Sequence, residues 1–530
     1  MKKSSRKVDV CIIGSGSGGG VVAKELAERG FKVLVLEAGQ RYDPIRDYTS
    51  SEPDWFTANW GSGKFRVPAL RTYTFARRGT HAPLEANGVG GSTLRYHAYA
   101  IRMGPDDFNV YSSDGVGEDW PITYEDLVPY YRKVELELGV SGQAGDPWIP
   151  QVEPYLNPPF PYSYANKAVK RGFDSLGLKL WPAPMARLSR PFDGRPMCVQ
   201  CGDCTNGCMS GAKSSIDVTY ITKAEATGRM VLRPECVVTR IEVNSKGKAK
   251  SVVYFDKDGV EHEQGADVIV VAAGALQSSR LLLNSTSNLF PYGLSNSNGL
   301  VGKYFMQHLS IGTEAIFPDR IDSYRGFEGG AFSLDFAKSS PRNAYARGWT
   351  TDLNSGIRAP VEMAIKSSTW GAQLKEHMKE HFGRSAGIFC NAEQLPRQDN
   401  AVEVDSEVRD EYGMPVPRLN LGLQENDKLL LEAMKKKQKE ILDAAGATQV
   451  HYRNFNLGSS AHNYGGCRMG KDPRRSVVNS FCQSHEVSNL FVVDASCFVT
   501  TGTANPSLTI HAIAIRSSEF IAEQAKHQNI

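Results

Sequence analysis

Apolar and polar positions first fall into a readable order at Val8-Asp9-Val10-Cys11-Ile12-Ile13, which runs straight into Gly14-Ser15-Gly16-Ser17-Gly18-Gly19. A short apolar run closed by glycines predicts a buried parallel strand and a tight turn. A helix follows, and then a second buried strand, Val33-Leu34-Val35-Leu36, which delivers Glu37. Farther along, Val237–Val243 and Ala249–Phe255 alternate on either side of Asn244-Ser245-Lys246-Gly247-Lys248, the pattern of a hairpin. Asp267–Ala273 predicts another buried strand, turning at Gly274 into a helix through Leu282. The proline-rich stretch from Pro147 to Pro184 reads as an extended surface connection with little regular structure, some of it a lid.

Chemistry enters with the glycines. Gly14 permits the tight turn, Gly16 lets backbone N–H groups approach a pyrophosphate, and Gly19 lets the helix pack close to the sheet. The phosphates would sit at the positive end of that helix. Glu37, 18 residues past Gly19, is placed to accept from a ribose 2′-hydroxyl, and a carboxylate there disfavours a 2′-phosphate. The expected ligand is therefore FAD or NAD rather than NADP. A second glycine turn, Asn87-Gly88-Val89-Gly90-Gly91-Ser92-Thr93, has amides and small hydroxyls suited to a diphosphate or to the edge of an isoalloxazine.

Bulk composition narrows the class. A chain of 530 residues should form two or more lobes. A net charge of only +3 makes no case for nucleic acid or an anionic membrane. The basic cluster Lys435-Lys436-Lys437 with Lys439 reads as a solvated helix face beside Glu432 and Glu440. No apolar window is long enough for a transmembrane segment. The basic start, Met1 to Lys7, leads at once into the first strand and does not read as a signal peptide. A cytoplasmic protein is expected, with export alongside a signal-bearing partner left open.

Further segments complete a set. They are Asp119–Tyr131, His462-Asn463-Tyr464-Gly465-Gly466-Cys467-Arg468-Met469-Gly470, Leu490–Ser496 and Asn505-Pro506-Ser507-Leu508-Thr509-Ile510. With the two glycine turns and Asp267–Leu282, the chain resembles the glucose–methanol–choline (GMC) family of FAD-dependent oxidoreductases, in the family's order. That resemblance implies FAD at Gly14, Gly16, Gly19 and Glu37, with further cofactor contacts at Gly90, Gly91, Ser92, Val238 and Asp494. It also implies a catalytic pair, His462 and Asn505, at the family's usual separation. Tyr96 stands where many relatives carry an asparagine, and Arg95 where some carry the histidine that links the flavin, with His97 two residues off. Non-covalent FAD is the expectation. The helix after Gly274 closes on Ser285-Thr286-Ser287, without the family's usual Gly-x-Gly.

Oxidation of a CH–OH group removes a proton from oxygen and a hydride from carbon. Flavin N5 takes the hydride, so the protein must take the proton and hold the carbon in place. A neutral histidine suits the first task, and an asparagine amide can orient the oxygen and stabilise developing alkoxide charge. His511, in an apolar run, reads as a packed core histidine; His308, closing Val301–His308, matches a position of the family it resembles but receives no chemical role.

Cys198, Cys201, Cys204 and Cys208 follow the spacing C-x₂-C-x₂-C-x₃-C of a ferredoxin run, with Met209 in place of the usual proline. Zinc fits less well, because structural zinc sites usually draw on two separated pairs, and disulfides are disfavoured in a cytosolic setting. Three or four thiolates here could hold an iron–sulfur cluster; free thiols or a disulfide clasp are the alternative. Some GMC dehydrogenases that feed a haem subunit carry such a cluster ahead of a Gly-Ala-x motif, and Gly211-Ala212-Lys213 follows here. A cluster would export electrons singly. Without one, oxygen or a quinone becomes the acceptor.

The resemblance further implies an α/β and α+β fold: a Rossmann-type FAD-binding lobe and a discontinuous substrate-binding lobe. The FAD lobe would comprise residues 1–105, 205–310 and 455–530, and the substrate lobe 106–204 and 311–454. Residues 311–454 carry no readable motif. Trp349, Trp370 and Asn391 could line a site or belong to the core. The expected enzyme is an FAD-dependent dehydrogenase of a small-molecule sugar, polyol or related alcohol, served by an electron-accepting subunit or quinone. The alternatives are a peroxide-producing alcohol or sterol oxidase, or a flavin-containing cyanohydrin lyase.

Overall fold

The computed structural model describes residues 3–48, 70–326, 328–354, 356 and 360–530. Its larger sheet is built from Lys3–Ile13 (β1), Val33–Leu36 (β2), Met230–Arg233 (β3), Val237–Val243 (β4), Ala249–Phe255 (β5) and Glu261–Val271 (β6), in the order β3-β2-β1-β6-β5-β4. β1, β2, β3 and β6 run parallel, with Val10 opposite Val33 on one side and Val268 on the other. β5 returns antiparallel against the first half of β6, and β4–β5 form the hairpin that the alternation predicts. The second half of β6 pairs instead with a strand from far down the chain, Leu490–Val492.

Close packing at the first turn depends on missing side chains. Gly14 adopts φ 95°, a conformation that glycine reaches without strain, and Gly18 and Gly19 begin the helix Gly19–Glu28. A Cβ on Gly19 would lie 2.0 Å from the Gly14 carbonyl oxygen, and one on Gly18 would lie 1.7 Å from that of Val493. The helix therefore begins wedged between the strand that precedes it and the strand Leu490–Val492. Its other side meets the C-terminal helix Ser507–Lys526, which also packs against the helix Tyr124–Leu138. Tyr131 and Thr509 hydroxyls meet there at 2.8 Å. Tyr124–Leu138 thus shares the core of the nucleotide lobe although it falls in the range 106–204 expected for the substrate lobe.

The second sheet carries Leu309–Ile316 (β7), Trp349–Asn354 (β8) and Ser385–Ala392 (β9), in the order β7-β9-β8. Short strands flank them, 449–452 beside β7 and 331–333 then 181–182 beyond β8. The helix Glu425–Ala444 packs on it through Leu430, Met434 and Ile441, with Lys435, Lys437 and Lys439 paired to acids on the outer face. A second covering helix, Tyr164–Ser175, corrects the reading of Pro147–Pro184 as having little regular structure. The Ser163 hydroxyl accepts from Asn166 N at 3.1 Å and caps it, and Ala165, Ala168, Val169 and Phe173 bury one face. Prolines on both sides masked that periodicity.

Candidate active site

One continuous cavity of about 430 Å³ runs from the first glycine turn to His462 and Asn505. At the nucleotide end, Gly18 offers the helix no side-chain cap, so the first-turn amides keep donors for a ligand. Glu37 is buried beside them. It accepts from Ser15 N at 2.9 Å, Ser15 Oγ at 2.7 Å and Gly39 N at 2.8 Å. Burial pushes its carboxyl up, and those hydrogen bonds work against the rise. Ser15 Oγ also accepts from Gly90 N at 3.1 Å and couples the two glycine turns. The turns approach so closely that a Cβ on Gly91 would lie 2.8 Å from Gly16 Cα, whereas one on Gly16 would meet nothing nearer than 3.7 Å. Ser92 Oγ accepts from Ala86 N at 3.3 Å, and Val238 lines the wall. Asp494 accepts from Gly274 N at 2.9 Å, Ser278 Oγ at 2.6 Å and Ser496 N at 2.8 Å, tying the 274–278 turn to its own segment at the cavity. Uncapped amides as donors, the open space at Gly16 and a buried carboxylate as acceptor, along one long cavity, fit FAD.

The far end brings His462 and Asn505 together, with Asn505 Nδ2 3.4 Å from His462 Nε2. His462 Nδ1 lies 3.0 Å from Nδ1 of His308, whose Nε2 lies 2.9 Å from the Gly502 carbonyl oxygen. These partners assign the tautomers. Burial, and then the neighbouring His462, hold His308 well below the usual histidine range, so it is neutral. A carbonyl can only accept, so the His308 proton sits on Nε2 and its Nδ1 is a lone pair. His462 must then donate from Nδ1. Burial, and secondarily His97, lower His462 to about 4, so it too is neutral and its Nε2 presents a lone pair to the cavity. His308 is therefore part of the site. Its segment, Val301–His308, matches a family position, but the role depends on a long-range contact that the sequence does not display.

Across from this pair the wall is formed by the second sheet: Ser310 on β7, Asp352 on β8, and Phe389 and Asn391 on β9. Sequence reasoning missed Ser310 and Asp352 because nothing local distinguishes them. Of the three residues left open, Asn391 lines the cavity, Trp349 is buried against Phe336, and Trp370 is 84% exposed. Arg95, Tyr96 and His97 also line the cavity; Tyr96 donates to the Ser214 carbonyl at 2.7 Å.

An iron–sulfur cluster is not shown at the 198–208 loop. Among the described residues, no group of three or more histidine, cysteine or acidic side chains converges to hold a metal. The four thiols lie close enough to act on one another: Cys208 and Cys201 raise Cys198, and Cys208 and Cys198 raise Cys204, in each case after burial. Cys198 Sγ accepts from Gln200 N and Cys208 Sγ from Lys213 N, each at 3.4 Å. Cys201 is exposed, and Cys204 is buried, its thiol pushed up to about 11 by that burial. The next residue, Thr205, lines the cavity.

Comparison with known proteins gives the family. Residues 15–310 and 396–514 match the N- and C-terminal models of the GMC oxidoreductases. The chain is 33% identical to 2-methyl-1,2-propanediol dehydrogenase of Mycolicibacterium austroafricanum, over 99% of this chain and 97% of that one. It is 29% identical to the fructose dehydrogenase large subunit of Gluconobacter japonicus, over 99% and 100%. Among solved structures, formate oxidase of Aspergillus oryzae RIB40 superposes with a TM-score of 0.69 at 16% identity, covering 99% of this chain and all of that one, a likeness of fold.

Proposed function

The chain belongs to the GMC oxidoreductase family, and from that premise we propose that it oxidises a CH–OH group of a polyol, sugar or related small alcohol. The observation that carries this reading is His462 Nε2 facing the Asn505 amide, with Nδ1 held by His308, in the cavity that the glycine turns also line. The residues that would hold FAD are Gly14, Gly16, Gly19, Glu37, Gly90, Gly91, Ser92, Val238 and Asp494. Bound FAD supplies the two-electron acceptor. The substrate hydroxyl enters between His462 and Asn505, donating to Nε2 and accepting from the asparagine amide. The proton moves to Nε2 as the carbon loses its hydrogen, when the oxygen is most acidic, so a base of low proton affinity suffices. The His308 contact at Nδ1 keeps the ring aimed throughout.

The two relatives named above, a diol dehydrogenase and a sugar dehydrogenase subunit, support small polyhydroxy substrates and an acceptor other than oxygen. Electrons would leave on the side of the 198–208 loop, where Thr205 touches the cavity and Cys201 faces solvent, towards a quinone or a partner subunit. Anaerobic mixing with diols and sugars should bleach the flavin, with slow return in air. Fast return would identify an oxidase, and no bleaching would favour the lyase. Iron per flavin in protein purified without oxygen decides the role of the 198–208 loop: three or four irons would make it an electron relay, and flavin without iron a structural feature.

A further inference from the structure

Asp352 is an acid that the proposed reaction does not use, buried in the wall opposite His462. It is 5% exposed on the central strand of its half of the sheet, β8, which pairs on both edges. Asp352 Oδ2 accepts from Asn391 Nδ2 at 3.2 Å, and Asn391 Oδ1 accepts from Ser310 Oγ at 2.7 Å. Ser310 and Asn391 face each other across the β7–β9 pairing, so the sheet itself fixes the relay. The chain of donors ends at Asp352, whose Oδ1 is buried without a hydrogen-bond partner. An orphaned carboxylate oxygen in a closed site costs free energy that a bound donor recovers. Burial pushes this carboxyl up to about 7, as expected for an acceptor with too few partners.

We infer that Asp352 selects substrates bearing a second hydroxyl, which donates to its Oδ1 while the hydroxyl to be oxidised lies between His462 and Asn505. The inference rests on the alcohol-oxidising reading and specifies its substrate class: diols and longer polyols, with simple alcohols disfavoured. A single hydroxyl suffices as occupant, because Ser310 donates to Asn391 and Asn391 to Asp352, which leaves one acceptor, Oδ1, open to one donor.

The test compares kcat/KM for a 1,2-diol with that for the primary alcohol of the same carbon number. The native enzyme should favour the diol by about ten- to a hundredfold, the range for a hydrogen bond to a charged group. Asp352→Ala should bring that ratio near unity, chiefly by raising KM for the diol. Asp352→Asn keeps an acceptor oxygen in the same place and should retain part of the preference. Flavin content per chain reports folding of each variant, and the Asn variant carries the test if the Ala variant fails to fold. An unchanged ratio in Asp352→Ala, or equal loss on both substrates, would overturn the inference. So would stronger turnover of the corresponding amino alcohol than of the diol. If neither alcohol bleaches the native flavin, it is the underlying reading that fails.

Discussion

His462 has two ring nitrogens, and what each of them touches decides whether the residue is a base. Because Nδ1 donates to His308, the free lone pair is on Nε2, on the side of Asn505. Replacing His462 with Gln should lower kcat by about 10²–10⁴-fold, the usual share of a general base. Burial sets the pH range over which that base works. A histidine lowered to about 4 loses its lone pair only when pH falls towards 4, so kcat/KM should be flat through neutrality with an acid limb near 4. A limb near the ordinary histidine range would show that burial does not lower the ring. His308→Phe should free the His462 ring and lower kcat by about 10–100-fold, as loss of an orienting partner does, with KM little changed. His308→Asn, whose amide oxygen can accept from Nδ1, should recover part of the loss. Rates that do not distinguish Phe from Asn would argue against tautomer control. His462 and Asn505 were legible in the sequence because each sits in a local motif. His308 was not, since its meaning arises only where residue 308 meets residue 462.

At the scale of elements, the glycine-rich turn separates two demands that its sequence merges. Gly18 serves packing, with the Val493 carbonyl 1.7 Å from any added Cβ, whereas Gly16 faces the cavity and meets only Gly91. Gly18→Ala should therefore disrupt the junction of the Gly19–Glu28 helix with Leu490–Val492, at a cost beyond the ~1–3 kcal/mol typical of overpacking. Gly16→Ala should fold normally but bind FAD more weakly, because the methyl group fills space intended for the diphosphate. Unfolding midpoints of the two apoproteins, with flavin titrations, separate the effects; equal midpoints would contradict the assignment. The parallel strands around this turn were readable from apolar runs that occur where both faces are covered. The helix Tyr164–Ser175 was not, because its short amphipathic pattern lies among prolines. The wall formed by β7, β8 and β9 gave no signal either: Thr350, Thr351 and Asp352 follow one another without alternation, β9 is buried along nearly its whole length, and only the pairing of Ser310 with Asn391 turns its polar residues into a surface.

The molecule as a whole must hold Asn505, on the loop before the C-terminal helix, against a wall from the other sheet. Arg347 is central to that support. Its guanidinium, 2% exposed, pairs with Asp107 at 2.5 Å, Asp114 at 3.0 Å and Glu393 at 2.7 Å. The Asp107 carbonyl accepts from Thr500 Oγ1 at 3.2 Å, and Thr350 Oγ1 donates to the Thr503 carbonyl at 2.6 Å. The loop leading to Asn505 is thus tied to the second sheet through Thr350 and to the 105–107 turn that Arg347 holds. Breaking such a cluster by removing one partner costs about 3–5 kcal/mol, mostly for the charges left unpaired. Arg347→Met should lower the unfolding midpoint accordingly and reduce kcat through the displaced loop. The defect should depend on pH, with a definite sign. Burial already raises Asp107 and Glu393, and loss of Arg347 raises them further. A carboxyl raised in the folded state is penalised when ionised and relieved when protonated, so the variant should lie closer to the native protein at about pH 5 than at about pH 8. Midpoints measured at both pH values, with kcat alongside, decide the matter. A pH-independent defect would mean that the three carboxyls are not held as charges by Arg347, and a midpoint shift without loss of kcat would separate the cluster from the positioning of Asn505.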